Sequence, residues 1–379
     1  MSESKQVATG EPVRVLHVLG NLNVGGAETF IMNVYRHIDR SKVQFDFMVH
    51  TQEKGAYEKE AESIGAKIYR VPAYNAINHV QYKRAWQNFF DNNQEHEIIH
   101  GHMTSTAAIY LKIANKHGKM TIAHSHSTSS GDGLTAMLKD YLQKQLSGTA
   151  DHLWACSEAA GIWCYNEENC RGQKYKVIKN AIALEQFAFD ETRRDAKRKE
   201  LDIENKFVVG HVGRFFASKN HDFLVDVFAN IYNKNNNAVL LLVGDGNLRS
   251  QIEQKVEKLG LANNVIFTGV QEDVAELLCA MDVFVFPSFW EGLPVTLIEA
   301  QANGLKCFAS DEITKEVNIT DLIVNLSLHE TAEHWATKAL VYADGYERKD
   351  MQTDVRQAGY DIKELVKSLE ILYTGETYE

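Results

Sequence analysis

The chain has 379 residues, too many for one ordinary hydrophobic core and suited to two domains of typical size. Apolar residues make up 44% and charged residues 24%, as in soluble globular proteins, and a net charge of −11 argues against a general nucleic-acid binder. No apolar run is long enough to span a bilayer, and five cysteines without a CxxC pair read as reduced thiols of a cytoplasmic protein.

Residues 1–12 are polar, lack the apolar stretch of an export signal, and read as a flexible tail. Short apolar runs then alternate with longer helical patterns, which is how βαβ units read. Strands are predicted over 13–19, 45–50, 67–71, 98–102, 120–124, 152–156 and 175–178, forming a first domain over 13–182. A polar stretch over 180–205 follows. Apolar runs resume at 207–212, 238–243, 265–267, 283–286 and 306–309, forming a second domain over 183–353. Several runs are apolar almost without alternation, as expected of parallel strands covered on both faces. Each half therefore reads as a doubly wound, Rossmann-like α/β domain. Residues 354–379 carry Ile362, Leu365, Val366, Leu369 and Leu372 on one helical stripe and form a closing helix.

Residues of chemical interest fall at predicted strand ends, where open α/β sheets bind ligands. Gly25 and Gly26 end the loop after the first strand and would let backbone N–H groups approach a phosphate or an acceptor. The pattern is neither a P-loop nor GxGxxG, which counts against a nucleotide triphosphatase and a dinucleotide oxidoreductase. His100 and His102 end one strand, and His124 and His126 the next; each pair is spaced by two and shares a face. Four imidazoles there could ligate zinc, but no carboxylate or Cys completes a familiar set, so polar lining of a sugar pocket is the preferred reading. A Gly-containing loop over 127–133 and a following helix with Lys139 and Lys144 suit a mobile acceptor segment, with peripheral contact to anionic lipid as a further reading.

Arg214 follows the first strand of the second domain and Lys219 comes shortly after it. Two cations there could hold a diphosphate and stabilise it as it leaves. The run Pro287-Ser288-Phe289-Trp290-Glu291-Gly292-Leu293-Pro294 leads from a strand to a helix that carries Glu299. Free N–H groups and a positive helix end suit an anion, while Glu291 and Glu299 suit hydroxyl groups. Phosphate plus polyol is what a nucleotide-sugar presents.

The Glu291–Glu299 spacing resembles the E-x7-E signature of retaining glycosyltransferases of the GT-B fold, in particular family 4. Gly25-Gly26-Ala27-Glu28, Gly213-Arg214-Phe215 with Lys219, and Val243-Gly244-Asp245-Gly246 stand where that family places its own segments, and the likeness runs from about 13 to 373. The resemblance implies two Rossmann-like domains facing across a cleft, with the C-terminal helix crossing back to the first. It implies a nucleotide-sugar donor, a UDP-sugar first among them, and a hydroxyl of a glycan or lipid-linked acceptor. Arg214 and Lys219 would take the diphosphate, Glu299 the ribose, Glu291 the donor sugar, with Gly292 and Leu293 near sugar or phosphate. His124, slightly preferred over His126, would lie close to the donor sugar. No Asp-x-Asp pair occurs, so no metal and no cofactor are expected. The segment 123–129 and the Phe289-Trp290 pair are similar to bacterial enzymes of exopolysaccharide or capsule assembly, which implies work at the inner face of the cell membrane. The rival expectation is a protein that binds nucleotide-sugar without turnover.

Overall fold

The computed structural model describes residues 11–127 and 141–375. Most of the predicted tail, nearly all of the 127–133 loop, and Lys139 lie outside the described residues. The chain forms two compact units: Met1–Ala181 together with Ile362–Glu379, and Ile182–Asp361.

In the first unit, β1 (Val13–Leu19), β2 (Val43–Val49), β3 (Ile68–Arg70), β4 (His96–Gly101), β5 (Met120–Ser125), β6 (His152–Ala155) and β7 (Tyr175–Val177) form a parallel sheet. Their order is β3-β2-β1-β4-β5-β6-β7. Every residue of β2 is buried, Gln44 and Asp46 included, so the strand is covered on both faces although its sequence partly alternates. On one face, Trp86 and Phe90 of helix His79–Asn92 pack with Tyr110 of helix Thr104–Lys116. Burying each such ring contributes on the order of 2–3 kcal/mol. On the other face, Tyr35 of helix Gly26–His37 stacks on Phe45, and Tyr373 meets Phe45 edge-on.

Tyr373 belongs to helix Ile362–Thr374, which packs on helix Gly26–His37 and on β1 and β2. This last helix buries Val366, Leu369 and Tyr373, and the Glu370 carboxylate accepts from the N–H of Asp39. The chain joins the first unit at Ile362 rather than at Asp354. The preceding residues Met351, Val355 and Tyr360 are buried in the core of the second unit and hold helix Gln352–Gln357 there.

In the second unit, β8 (Phe207–Val212), β9 (Ala238–Val243), β10 (Val265–Gly269), β11 (Val283–Phe286), β12 (Lys306–Ser310) and β13 (Ile323–Leu326) are again all parallel. The order is β10-β9-β8-β11-β12-β13. Strand β13 has no counterpart among the predicted strands. It is an edge strand of four residues, interrupted by the exposed Asn325, with only Leu326 fully buried. Strand order reverses between β1 and β4 in one sheet and between β8 and β11 in the other, and such switch points are where open α/β sheets take ligands. Among the described residues no helix is long and apolar enough to cross a membrane.

Candidate functional site

In the second unit the loops after β8 and β11 leave adjacent strands and stay joined beyond them. The N–H of Phe289 donates to the carbonyl of Ser218 at 2.8 Å. Lys219 Nζ lies 2.7 Å from Glu291 Oε1, with side-chain exposures of 16% and 14%. The geometry is an ion contact rather than an aligned hydrogen bond, since Glu291 Oε1 has no hydrogen-bond partner among the described residues. Lys219 Nζ also sits 4.6 Å from the centroid of the Phe286 ring, a cation–π placement that holds it over the end of β11. Gly292 and Leu293 continue the same turn, and Pro294 stands at the N-cap of helix Val295–Ala302 rather than inside its first turn. At that position its missing N–H leaves no ladder bond unmade.

Arg214 shares the loop of Lys219 but is exposed, with its guanidinium 5.0 Å from the centroid of the Phe216 ring. It makes no ion pair among the described residues, so its charge faces solvent. Two glycines set the height of this loop. The N–H of Gly213 donates to Val243, and the N–H of Phe215 to Asp245. Gly244 has a positive φ of 130°, and a Cβ there would stand 2.2 Å from the Gly213 carbonyl oxygen. A Cβ on Gly246 would stand 2.7 Å from the oxygen of Phe215. Bare backbone at both positions lets the loop after β9 press against the one carrying Arg214.

Glu299, on helix Val295–Ala302, keeps partial exposure, yet desolvation pushes its carboxyl up to about 7. Close by in sequence, Ser288 Oγ and Thr296 Oγ1 are buried without a partner among the described residues. So are His211 Nε2 and both ring nitrogens of His221. Burial pushes both imidazoles down, His221 to about 4 with Lys219 adding to the effect. His211 and His221 were not singled out from sequence. For His211 the available signal was a polar residue within the apolar run of β8.

Gly25, Gly26 and His124 belong to the first unit. Gly25 is the extended N-cap of helix Gly26–His37, and the Glu28 carboxylate folds over it so closely that a Cβ would meet Oε2 at 2.3 Å. A Cβ on Gly26 would meet nothing within 4 Å, so the chain leaves open space there. Phe30 of the same helix packs 5.6 Å from His124 and 5.7 Å from His126, centroid to centroid, which joins this helix to the histidines.

The histidine group has five members, because His17 of β1 joins the four at the ends of β4 and β5. His17 Nδ1 meets His102 Nε2 at 3.0 Å, and His102 Nδ1 meets His126 Nε2 at 2.8 Å. His100 Nε2 meets His124 Nδ1 at 3.1 Å, and His100 Nδ1 pairs with the Tyr373 hydroxyl at 2.9 Å. Burial pushes all five below the usual imidazole range, His17 and His126 to about 3. Neutral rings can serve one another as donor and acceptor. Two triplets, His17 with His100 and His102, and His102 with His124 and His126, hold ligand atoms within 4.8 Å of one another, a spacing a transition metal would tolerate. His124 is fully buried, and His126 is the member of its pair with surface exposure.

Residues 24–186 match the family model of glycosyltransferase family 4, and residues 193–335 match that of glycosyl transferases group 1. The chain is 36% identical over 376 residues to "Putative glycosyltransferase EpsF" of Bacillus subtilis, covering 96% of this chain and 97% of the relative. It is 34% identical over 152 residues to a UDP-Gal:alpha-D-GlcNAc-diphosphoundecaprenol alpha-1,3-galactosyltransferase of Escherichia coli, covering 39% of each chain. Among solved structures, Anabaena HepE in complex with UDP and glucose is similar with a TM-score of 0.77 at 17% identity, over 96% of this chain and 100% of that one. WaaG, a glycosyltransferase involved in lipopolysaccharide biosynthesis, is similar at 0.73 and 16% identity, over 96% and 100%.

Proposed function

This chain belongs to glycosyltransferase family 4, with the two parallel-sheet domains of the GT-B fold, and on that premise we propose that it is a retaining transferase using a UDP-sugar in polysaccharide assembly. The observation that carries the reading is the Lys219–Glu291 contact, which ties the loops after the two switch-point strands into one polar turn at a helix N-terminus.

The donor's diphosphate lies between the Arg214 guanidinium, the Lys219 ammonium and the positive end of helix Val295–Ala302. Lys219 has three N–H donors, so it can keep Glu291 and bind a phosphate oxygen together. Glu291 then takes a hydroxyl of the donor sugar, with Gly292 and Leu293 beside it. Glu299 accepts from the ribose hydroxyls. In the first unit, Gly25 and Gly26 bring bare backbone to the ligand. His124, or its partly exposed neighbour His126, supplies the imidazole near the donor sugar.

In the transfer, the acceptor oxygen bonds to the anomeric carbon as the bond from that carbon to the phosphate oxygen breaks. The acceptor proton passes to the departing phosphate, on the same face, so configuration is kept. Charge builds on the leaving diphosphate, and preorganised cations stabilise that charge without reorganising. Arg214 and Lys219 supply this role, so no divalent ion is required on the diphosphate. The acceptor is a hydroxyl of a glycan or a lipid-linked sugar. The Escherichia coli relative named as a diphosphoundecaprenol galactosyltransferase supports that class.

The test is Arg214→Ala assayed with UDP-sugars in the presence of EDTA. Transfer and donor hydrolysis should both fall by about 10²-fold or more. Undiminished rates would remove the phosphate role, and loss of wild-type activity in EDTA would remove metal independence.

A further inference from the structure

The loop after β3 displays an apolar tip on the first unit. Ile77 is 96% exposed and Val80 61%, and Ile77 is the most exposed large apolar side chain among the described residues. Ala73 and Ala76 beside them are exposed as well. Such residues scattered singly need no account, but these four share one turn, and no Asp, Glu, Lys or Arg occurs from 71 to 82. The turn is firmly built. The N–H of Asn75 donates to the Asn78 side-chain oxygen at 3.1 Å, and the N–H of Asn78 to that of Asn75 at 2.9 Å. The Asn78 side-chain amide donates to the Ala73 carbonyl at 2.8 Å. Tyr74 packs 5.2 Å from the buried Tyr82, centroid to centroid, which anchors the turn to the core. Ala76 holds a φ of 64°, which residues with a Cβ seldom adopt, so backbone strain is tolerated where Ile77 meets solvent.

We propose that this tip enters the headgroup–acyl boundary of an anionic bilayer, with Lys83 and Arg84 on the lipid phosphates. Both cations follow Val80 at i+3 and i+4 in helix His79–Asn92, so they share its face. Both are exposed, and neither makes an ion pair among the described residues. The one acidic residue of that helix, Asp91, stands about 10 Å along the axis from Arg84 and turns to His117. A net charge of −11 gives the chain as a whole no attraction to anionic lipid, so a local pair of cations beside an uncharged apolar tip selects the face that docks. A protein partner would need a broader apolar face than four side chains. A bilayer needs only a tip that inserts and cations that rest on its surface. Because the sheet is parallel, the loop after β3 lies on the same edge as the loops carrying Gly25, His102 and His126, two strands from β1. Docking there sets the carboxyl edge of the first unit at the membrane, where a lipid-linked acceptor would present its hydroxyl. The surface is the first unit's own and needs no donor assignment.

The test is co-sedimentation of the whole protein with vesicles of phosphatidylglycerol and phosphatidylcholine in equal parts, against phosphatidylcholine alone. UDP affinity is measured separately by calorimetry. Wild type should bind the mixed vesicles about tenfold more tightly than the neutral ones, or better. Ile77→Ser should weaken that binding by about tenfold or more, whereas Ile77→Trp, which keeps an interfacial apolar side chain, should hold it within about twofold. Lys83→Gln with Arg84→Gln should lower it by about tenfold and remove most of its salt dependence. All these variants should bind UDP as wild type does. Absence of wild-type binding to the mixed vesicles overturns the proposal, as does binding unchanged in Ile77→Ser. Loss of binding in Lys139→Gln with Lys144→Gln, and not in Ile77→Ser, overturns it in favour of the segment that carries those lysines. Self-association of wild type that Ile77→Ser abolishes, without vesicle binding, overturns it in favour of an interface between copies. Failure of wild type to bind UDP would sink the donor reading instead, while the vesicles would still decide this one.

Discussion

Lys219 and Glu291 meet at 2.7 Å although one follows β8 and the other β11, and most of their side-chain surface is buried. Removing either leaves the other partly desolvated and uncompensated. Lys219→Met and Glu291→Gln should each lower stability by about 1–3 kcal/mol, between the values for exposed and fully buried pairs. Urea unfolding of both variants and their double mutant checks this, and the double mutant should cost less than the sum. Lys219→Met should also reduce transfer more than it reduces stability. A transfer rate within twofold of wild type would show that the ammonium serves the fold alone.

Glu299 makes a pH prediction with a definite sign. Its carboxyl is raised from 4.5 to about 7 in the folded protein, so the folded state holds a proton that the unfolded chain has lost. Stability contributed by this group is therefore full below about 4.5 and declines as pH rises to about 7. Glu299→Gln should flatten that decline and be more stable than wild type at pH 8 by about 1–3 kcal/mol, reduced for partial exposure. Thermal unfolding from pH 5 to 8 measures it. The same variant should bind UDP more weakly if the carboxylate takes the ribose hydroxyls.

Gly244 tests how the Arg214 loop is held. A methyl group there meets the Gly213 oxygen and must adopt a φ that L-residues avoid. Gly244→Ala should lose about 2–4 kcal/mol, more than an exposed glycine such as Gly345, whose added Cβ would touch nothing within 4 Å but whose φ is also positive. Comparing the two by chemical denaturation separates the steric cost from the backbone cost. UDP binding should fall in Gly244→Ala and not in Gly345→Ala.

The five imidazoles of the first unit predict its behaviour in acid. Each is held neutral by burial below its ordinary 6.5, so the unfolded chain takes up protons first as pH falls. Their presence costs stability below about 6.5, increasingly as pH falls toward about 3. The second unit has only His211 and His221 of this kind among its described residues. Hydrogen exchange at pH 5 should therefore show β1, β4 and β5 opening before β8 and β11. His17→Phe should narrow the difference. Equal protection of both sheets at pH 5 would contradict the prediction.

Both sheets were legible from sequence because strands buried on two faces leave near-continuous apolar runs, as in β9 and β11. Strand β13 was not: it is a four-residue edge strand whose short run Ile323-Val324 is broken by the exposed Asn325. The same contrast holds at the site. Glycine, proline and carboxylate spacing marked Glu291 and Glu299. The pairing of Lys219 with Glu291 depends on β8 lying next to β11, a sheet order that no local pattern encodes. A spacing of two placed His124 and His126 on one face; their unequal depth at the strand end, His124 covered and His126 partly exposed, is set by the fold and not by the spacing. His17 escaped notice because a single polar residue inside an apolar strand looks like noise until its partners are seen.

Helix Ile362–Thr374 returns to the first unit only after the whole of the second, bringing Tyr373 to Phe45 and His100. On the ribosome, chains emerge at roughly 5–20 residues per second and domains fold as they appear. The unit begun first must therefore wait for its final piece until the entire second unit has been synthesised. During that interval the surface of β1 and β2 meant for Tyr373 stays uncovered. Premature termination near Asp361 would thus spare the late-made half and leave the early-made one sticky, an inversion of the usual order of vulnerability in two-domain chains.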